Sequence, residues 1–328
     1  MAVISAYAAY SKDKLLRKSS SSGGVFSLLA NYVIEQGGVV YGVAMDAQCS
    51  YAEFVRVSNY EMLLRLRGSK YLQAKLGKTF VSVKSDLEKN TLVLFTGTGC
   101  QINGLLGYLG KKYPNLVCVD VICHGVPSAK LWGKYKDYCE KKNGRKVIDV
   151  NFRCKENGWE DFGIEKKEDA FLYTFTSKSD DPYMQFFLRD YCLRPSCYSC
   201  KAKERKLSDI TIADFWKIEQ VMPDMKDDLG VSLVITRTEA GKAMYSAISE
   251  KLVMSTVDYA LAIQGNKSEY CSVTMPVERK SFYSDLDRMD FSALVDKYLC
   301  KTLKGKIRRK LSSVIGSKWL DKIRGGGQ

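Results

Sequence analysis

Short, almost wholly apolar runs alternate with stretches of helical periodicity along the first half of this chain. Residues 38–44 (GVVYGVA) form an apolar, β-branched run that predicts a buried strand, and the alternating 52–57 (AEFVRV) reads as its hairpin partner. Residues 91–96 (TLVLFT) and 116–122 (LVCVDVI) predict two more buried strands. Between them a Gly-rich turn, FTGTGCQ, opens a helix; a further helix over 129–141 follows HGVPS, with Ser128 as its cap. This strand–helix–strand order implies parallel strands at the core. Upstream, residues 23–35 (GGVFSLLANYVIE) read as an amphipathic helix behind four serines, Ser19 to Ser22.

The middle of the chain has another rhythm. VIDVNFR, DFGIE and FLYTFT are short runs separated by polar, Gly-containing segments, and they predict antiparallel strands. A short helix over 183–191, a cysteine-bearing loop, the strands DITIADF and VSLVITRT, and a helix over 239–250 complete the pattern. The expected fold is α/β: a mixed sheet with a parallel core, an antiparallel middle section and a basic helical C-terminal tail. No linker interrupts the chain before about residue 280, so one domain is expected over 1–280 and a tail over 281–328.

With 328 residues, 45% hydrophobic and 27% charged, the chain has ordinary globular composition and enough length for a large core. The N-terminus lacks the pattern of a signal peptide, and no apolar run approaches the roughly 20 residues that span a bilayer. A cytoplasmic protein is expected. The odd count of eleven cysteines argues against a secreted disulfide framework. The net charge of +14 is concentrated at the end: residues 301–328 hold nine basic residues and one acid, with apolar residues at helical spacing. Such a tail suits a membrane surface or an acidic partner, or packs on the domain by its apolar stripe. The concentration in one terminal segment, without a recognisable binding module, argues against nucleic acid.

Four strings, and a set of three more, carry candidate chemistry. SSSSGGVFS places Ser22, Gly23 and Gly24 at a helix start, where backbone N–H groups can meet an anion, although it is neither a P-loop nor a dinucleotide fingerprint. FTGTGCQ ends a strand and sets Cys100 at a helix N-terminus, as a metal ligand or a nucleophile. DVICHGVPS ends the next strand with Cys123 and His124, the only histidine, which excludes any multi-histidine metal site. CLRPSCYSCKAK gives a C-x4-C-x2-C pattern from Cys192, Cys197 and Cys200, followed by lysines able to offset thiolate charge. A thioredoxin-like dithiol is the competing reading, but its βαβ context is missing. Finally, Lys70 in RGSKYLQ can meet a phosphate, while Trp159 in FRCKENGW and Trp216 in DITIADFW can cover a flat ring.

Taken in order, SSGGVFSLLA, RGSKYLQ, FTGTGCQINGL, DVICHGVPS, FRCKENGW, LRPSCYSCKAK and DITIADFW resemble the beta subunit of coenzyme F420-reducing hydrogenase and dehydrogenase, over about residues 19–236. The chain looks most like short bacterial members associated with surface-polysaccharide gene sets. The resemblance implies FAD beside a [4Fe–4S] cluster. By motif, Cys100, Cys123, Cys197 and Cys200 would ligate the cluster, and Ser22, Gly23, Gly24, Lys70, Thr96, Gly97 and Gln101 would line the flavin. Cys192 is an alternative to Cys123, and His124 a candidate proton donor. Many relatives carry a ferredoxin-like segment that this chain lacks, so a separate ferredoxin or flavodoxin is the expected donor. Ala213 and Lys217 stand where the family has glycines beside DFW. The implied function is a flavin and iron–sulfur oxidoreductase acting on an organic substrate, a small molecule or lipid-linked sugar, with the tail at the inner membrane face; reduced deazaflavin is the family's own partner. Two other readings remain open here: a zinc-stabilised, non-catalytic binding or assembly protein using the same thiolates, and a thiol enzyme using Cys100.

Overall fold

The structure, a computed structural model, describes residues 4–299. Twelve strands build two sheets: β1 (Ser5–Ser11), β2 (Val39–Met45), β3 (Ala52–Val57), β4 (Ala74–Lys75), β5 (Val93–Thr98), β6 (Leu116–Val121), β7 (Asp149–Cys154), β8 (Gly163–Lys167), β9 (Tyr173–Ser177), β10 (Ile210–Asp214), β11 (Ser232–Thr236) and β12 (Leu252–Val257). Nine lie in one sheet, ordered β12-β1-β11-β10-β6-β5-β2-β3-β4, and β7, β8 and β9 form the other. The centre β10-β6-β5-β2 is parallel. β11, β1 and β12 extend it antiparallel on one side, and β3 pairs antiparallel with β2 on the other. The three-stranded sheet is antiparallel throughout. The mixed α/β architecture is the one the hydrophobic pattern predicts.

The period of two explains why the central strands are apolar on both faces. Leu94, Val117 and Val119 point to one side, where they pack with Val25, Leu28, Leu29 and Val33 of the helix Val25–Glu35. Val93, Phe95 and Cys118 point to the other, against Val83 and Leu87 of Thr79–Glu88 and Ile102 and Leu105 of Gly99–Leu109. Both sheet faces are thus covered, and burial relaxes only past the carboxyl ends of the strands, where Val121 is 41% exposed. Those open ends position the site.

Two strands, β12 at the edge of the large sheet and β1 beside it, were not expected from the sequence. In β1 (SAYAAYS) the inward residues include Ala6, Ala8 and Ala9, which are buried but too small to stand out as a hydrophobic stripe. Most of β12 is exposed, so its run of pairing with β1 is carried by the backbone.

The expected boundary at residue 280 falls inside the helix Arg279–Arg288 and does not divide the packing. Phe282 and Leu286, with Phe291, Leu294 and Tyr298 of Phe291–Tyr298, are buried among Trp132, Tyr135, Tyr183 and Phe186. This aromatic core joins the helix Ala129–Asn143 to the small sheet. The basic segment 301–328 lies outside the described residues. Among the described residues no helix is long and apolar enough to cross a membrane.

Candidate active site

A cavity of about 660 Å³ opens at the carboxyl ends of β5, β6 and β10. This is the place where open α/β sheets bind ligands, and the volume lies in the usual range of small-molecule pockets. The serine loop Ser20–Ser22 with Gly24, the segment 66–74, Thr96–Thr98, Cys100, Gln101 and residues 121–127 form its walls.

The serine loop is held rigidly by its neighbours. Ser22 Oγ donates to the Val231 carbonyl at 2.8 Å, and Ser69 N donates to Ser21 Oγ at 3.0 Å, stitching the loop to the opposite wall. Gly24 adopts φ +89°, and a Cβ there would meet Leu16 Cδ2 at 2.6 Å. Gly23, expected at the ligand, does not line the cavity: a Cβ on it would stand 2.4 Å from the Ala9 carbonyl oxygen of β1. Its small size serves packing on the sheet. Lys155 lies beneath the loop and donates to the carbonyls of Arg17 (3.1 Å), Ser22 (3.0 Å) and Leu229 (2.5 Å). Burial pushes its ammonium down to about 7, while the three carbonyls favour the charged form.

The lining is strongly basic. Arg67, Lys70, Arg153, Lys178 and Arg194 face it, and Asp214 is the one carboxylate on it among the described residues. Arg153 is buried, donates from Nη2 to Asp214 Oδ1 at 2.8 Å and to the Ser21 carbonyl at 3.3 Å, and lies 3.7 Å over the Phe162 ring. Its Nε has no partner. Arg67 reaches Ser19 Oγ and Ser27 Oγ. Lys70 lines the cavity as expected, but its Nζ donates to three backbone carbonyls, those of Arg65, Arg67 and Gly68, and burial pushes it down to about 7. Thr96, Gly97 and Gln101 also line it, with Gln101 Oε1 accepting from Thr98 N at 2.8 Å and so capping the helix. Trp159, expected over a flat ring, is buried behind Trp216, with parallel rings at 5.0 Å, and its Nε1 donates to Asp214 Oδ1. Trp216 is the indole on the cavity wall.

Cys100, Cys123, Cys197 and Cys200 all line a second, smaller cavity. It shares Thr98, Cys100, Val121 and residues 123–126 with the large one, so the two adjoin. β5 delivers Cys100 at the start of the helix Gly99–Leu109, β6 delivers Cys123, and the 3-10 turn Pro195–Ser199 leads into Cys200. The groups act on one another: burial, then the charges of Cys100 and Cys197, push the Cys123 thiol up to about 12, with Lys203 opposing and Cys200 adding to the rise. Cys197 is raised as well, by burial first and then by Cys100 and Cys200. Among the described residues no group of three or more His, Cys, Asp or Glu side chains is arranged to hold a metal ion; the four cysteines line one small cavity. Cys192, the alternative to Cys123, is fully buried in the aromatic core and lines neither cavity. His124 lines both cavities, with Nε2 2.6 Å from Asp190 Oδ1.

The sequence reading missed the basic wall of Arg67, Arg153, Lys178 and Arg194, and the buried Lys155. Its signal was there in FRCKENGW, where two cations two residues apart end a strand that alternates into the protein.

A family model for the N-term of the coenzyme F420 hydrogenase/dehydrogenase beta subunit matches residues 6–80, and one for its C terminus matches residues 90–260. The coenzyme F420-dependent sulfite reductase of Methanocaldococcus jannaschii is 25% identical over 235 residues, 70% of this chain and 35% of that protein. The chain thus spans about a third of that relative's length. A chain from the F420-reducing [NiFe] hydrogenase complex of Methanosarcina barkeri superposes with a TM-score of 0.53, covering 91% of this chain and 93% of that one at 16% identity, a likeness of fold. The family models together cover most of the described structure, including the large cavity and all four cysteines of the small one, and the chain belongs to the coenzyme F420 hydrogenase/dehydrogenase beta subunit family of oxidoreductase subunits.

Proposed function

We propose that the chain holds a [4Fe–4S] cluster on Cys100, Cys123, Cys197 and Cys200 and FAD in the adjoining cavity, and that it passes electrons between a protein carrier and an organic substrate. The observation that supports this best is the convergence of four cysteines, from three separate stretches of chain, on a cavity that shares a wall with a much larger one.

The donor set fits the cluster. Four thiols packed together cannot all ionise unless positive charge enters between them; burial first, and the neighbouring cysteines after it, push Cys123 and Cys197 up. Four thiolates serve zinc and iron–sulfur clusters alike; the position of the shared cysteine cavity beside a much larger one supports the redox centre. Lys203 and Lys206 on the same cavity offset the net negative charge of thiolate ligation.

The large cavity fits a dinucleotide. Its volume, its basic lining and the open strand ends suit a pyrophosphate-bearing ligand, and the same lining suits a phosphate-linked sugar substrate. When bound there, a flavin exchanges single electrons on one side and hydride equivalents on the other. The chain's own residues orient and screen: Lys155 and Arg153 fix the serine loop, Trp216 walls the pocket, and Asp190 holds the His124 ring where both cavities meet, as the proton-handling group.

Anaerobic purification tests the reading. Expected is a brown-yellow protein with flavin extractable by denaturation and visible absorbance that bleaches with dithionite. A colourless protein carrying one zinc per chain would replace this reading with a zinc-stabilised binding module.

A further inference from the structure

We infer that the rim of the cysteine cavity is the docking surface of a small acidic electron-carrier protein. The inference rests on the cluster reading above and says where the carrier binds and what charge it bears.

Three observations meet at this rim. Cys100 is exposed and Cys197 and Cys200 are half-buried, so thiols of the smaller cavity reach the surface. The surface around them is basic. Arg194 precedes the cysteine turn, Lys201 and Arg205 follow it, and Lys267 stands beside Ser268 of the cavity wall; all four are exposed. The nearby acids are already engaged: Glu204 pairs with Lys201 at 3.0 Å, and the buried Glu269 pairs with Lys206 and Arg237. Exposed apolar side chains lie on the adjoining segment. Tyr270, Met275 and Val277 are 50%, 49% and 94% exposed, on a segment held to the cysteine loop by Cys200 N donating to Ser272 Oγ and Lys203 Nζ donating to the Cys271 carbonyl.

Exposed cations around the cysteine loop, with exposed apolar side chains on the segment tied to it, are complementary to a small protein with an acidic face around its redox centre. Electron-transfer encounters bury little area and depend on such steering. Each encounter moves one electron, oxidising the carrier's centre and reducing the centre held by the cysteines, with no atom exchanged. Two encounters supply a two-electron reduction of the substrate.

The test uses the full chain purified anaerobically and an acidic [2Fe–2S] ferredoxin as probe. Three proteins are compared: wild type, the triple reversal Lys201→Glu/Arg205→Glu/Lys267→Glu, and a control reversal Lys89→Glu/Lys111→Glu/Lys112→Glu at the amino ends of β5 and β6. The control carries the same change in net charge at the opposite end of the sheet. Expected by calorimetry is a loss of about tenfold or more in affinity for the rim variant alone, with binding to wild type falling steeply with salt. Equal binding by wild type and rim variant, or equal loss in both variants, overturns the docking surface. Dithionite, which needs no docking, separates the two readings: bleaching that is the same in all three proteins shows the centre intact. A rim-specific loss of binding in a protein that dithionite does not bleach keeps the surface and removes the cluster.

Discussion

At the residue scale, the four cysteines that share the small cavity stood out in the sequence because the proposed soft-metal chemistry calls for a particular residue type at a particular spacing. Cys197 and Cys200 are readable from one loop, and Cys100 and Cys123 from the ends of two adjacent parallel strands, β5 and β6. What the sequence could not reveal is which residues serve the ligand and which serve the fold. Gly23 packs on β1 and Trp159 backs Trp216, each claimed by a neighbour distant in sequence, while Lys70 is taken up by three carbonyls of its own turn. Lys155 shows the converse. Replacing it, Lys155→Met, strips a donor from the carbonyls of Arg17, Ser22 and Leu229. A loss of about 1–3 kcal/mol in stability is expected, seen as a lowered denaturation midpoint, together with weaker flavin retention as the serine loop loosens. Unchanged flavin content after gel filtration would detach Lys155 from the site. Gly24→Ala, at φ +89° with Leu16 in the way, should cost about 1–2 kcal/mol by the same assay.

At the element scale, period and polarity made the buried parallel strands legible, because both of their faces are covered by helices. The antiparallel edge escaped. β1 carries its burial on alanines, and β12 owes its existence to pairing with β1. On the opposite side, the hairpin β2–β3 is fastened to the helix Thr79–Glu88 through Asp86, which accepts from Tyr41 Oη at 2.6 Å and Arg56 Nε at 2.7 Å. Burial raises the Asp86 carboxyl, but these bonds outweigh it and hold the group below its ordinary 3.8. A depressed carboxylate adds stability above its unfolded pKa and loses it as pH falls through the folded one. Asp86→Asn should therefore destabilise by about 1–3 kcal/mol at neutral pH, and the gap to wild type should close as pH drops below about 4. A gap that is constant with pH would contradict the role assigned to the charge.

At the scale of the whole molecule, the small sheet and the helix Ala129–Asn143 share one aromatic core, and the end of the described chain completes it. A cut after residue 280 removes Phe282, Leu286, Phe291, Leu294 and Tyr298 from that core. At roughly 1.5–3 kcal/mol for each buried side chain, the loss rivals the 5–15 kcal/mol that stabilises a typical domain. Chains ending at 280 are expected to aggregate, and chains ending at 299 to fold with unchanged cofactor content; a soluble, cofactor-bearing 1–280 fragment would show the helices dispensable. The sequence hid this because the last helices read as the start of a charged tail, and their apolar faces have meaning only against Trp132 and Phe186. The account turns finally on whether four sulfurs hold one iron–sulfur centre. Iron and acid-labile sulfide, counted per chain in anaerobically purified protein, decide this most directly. About four of each are expected in wild type and in Cys271→Ala, whose side chain lies outside both cavities, with both counts falling in Cys100→Ala, Cys123→Ala, Cys197→Ala and Cys200→Ala. Iron and sulfide absent from wild type, or equally retained in all four cavity variants, would contradict it.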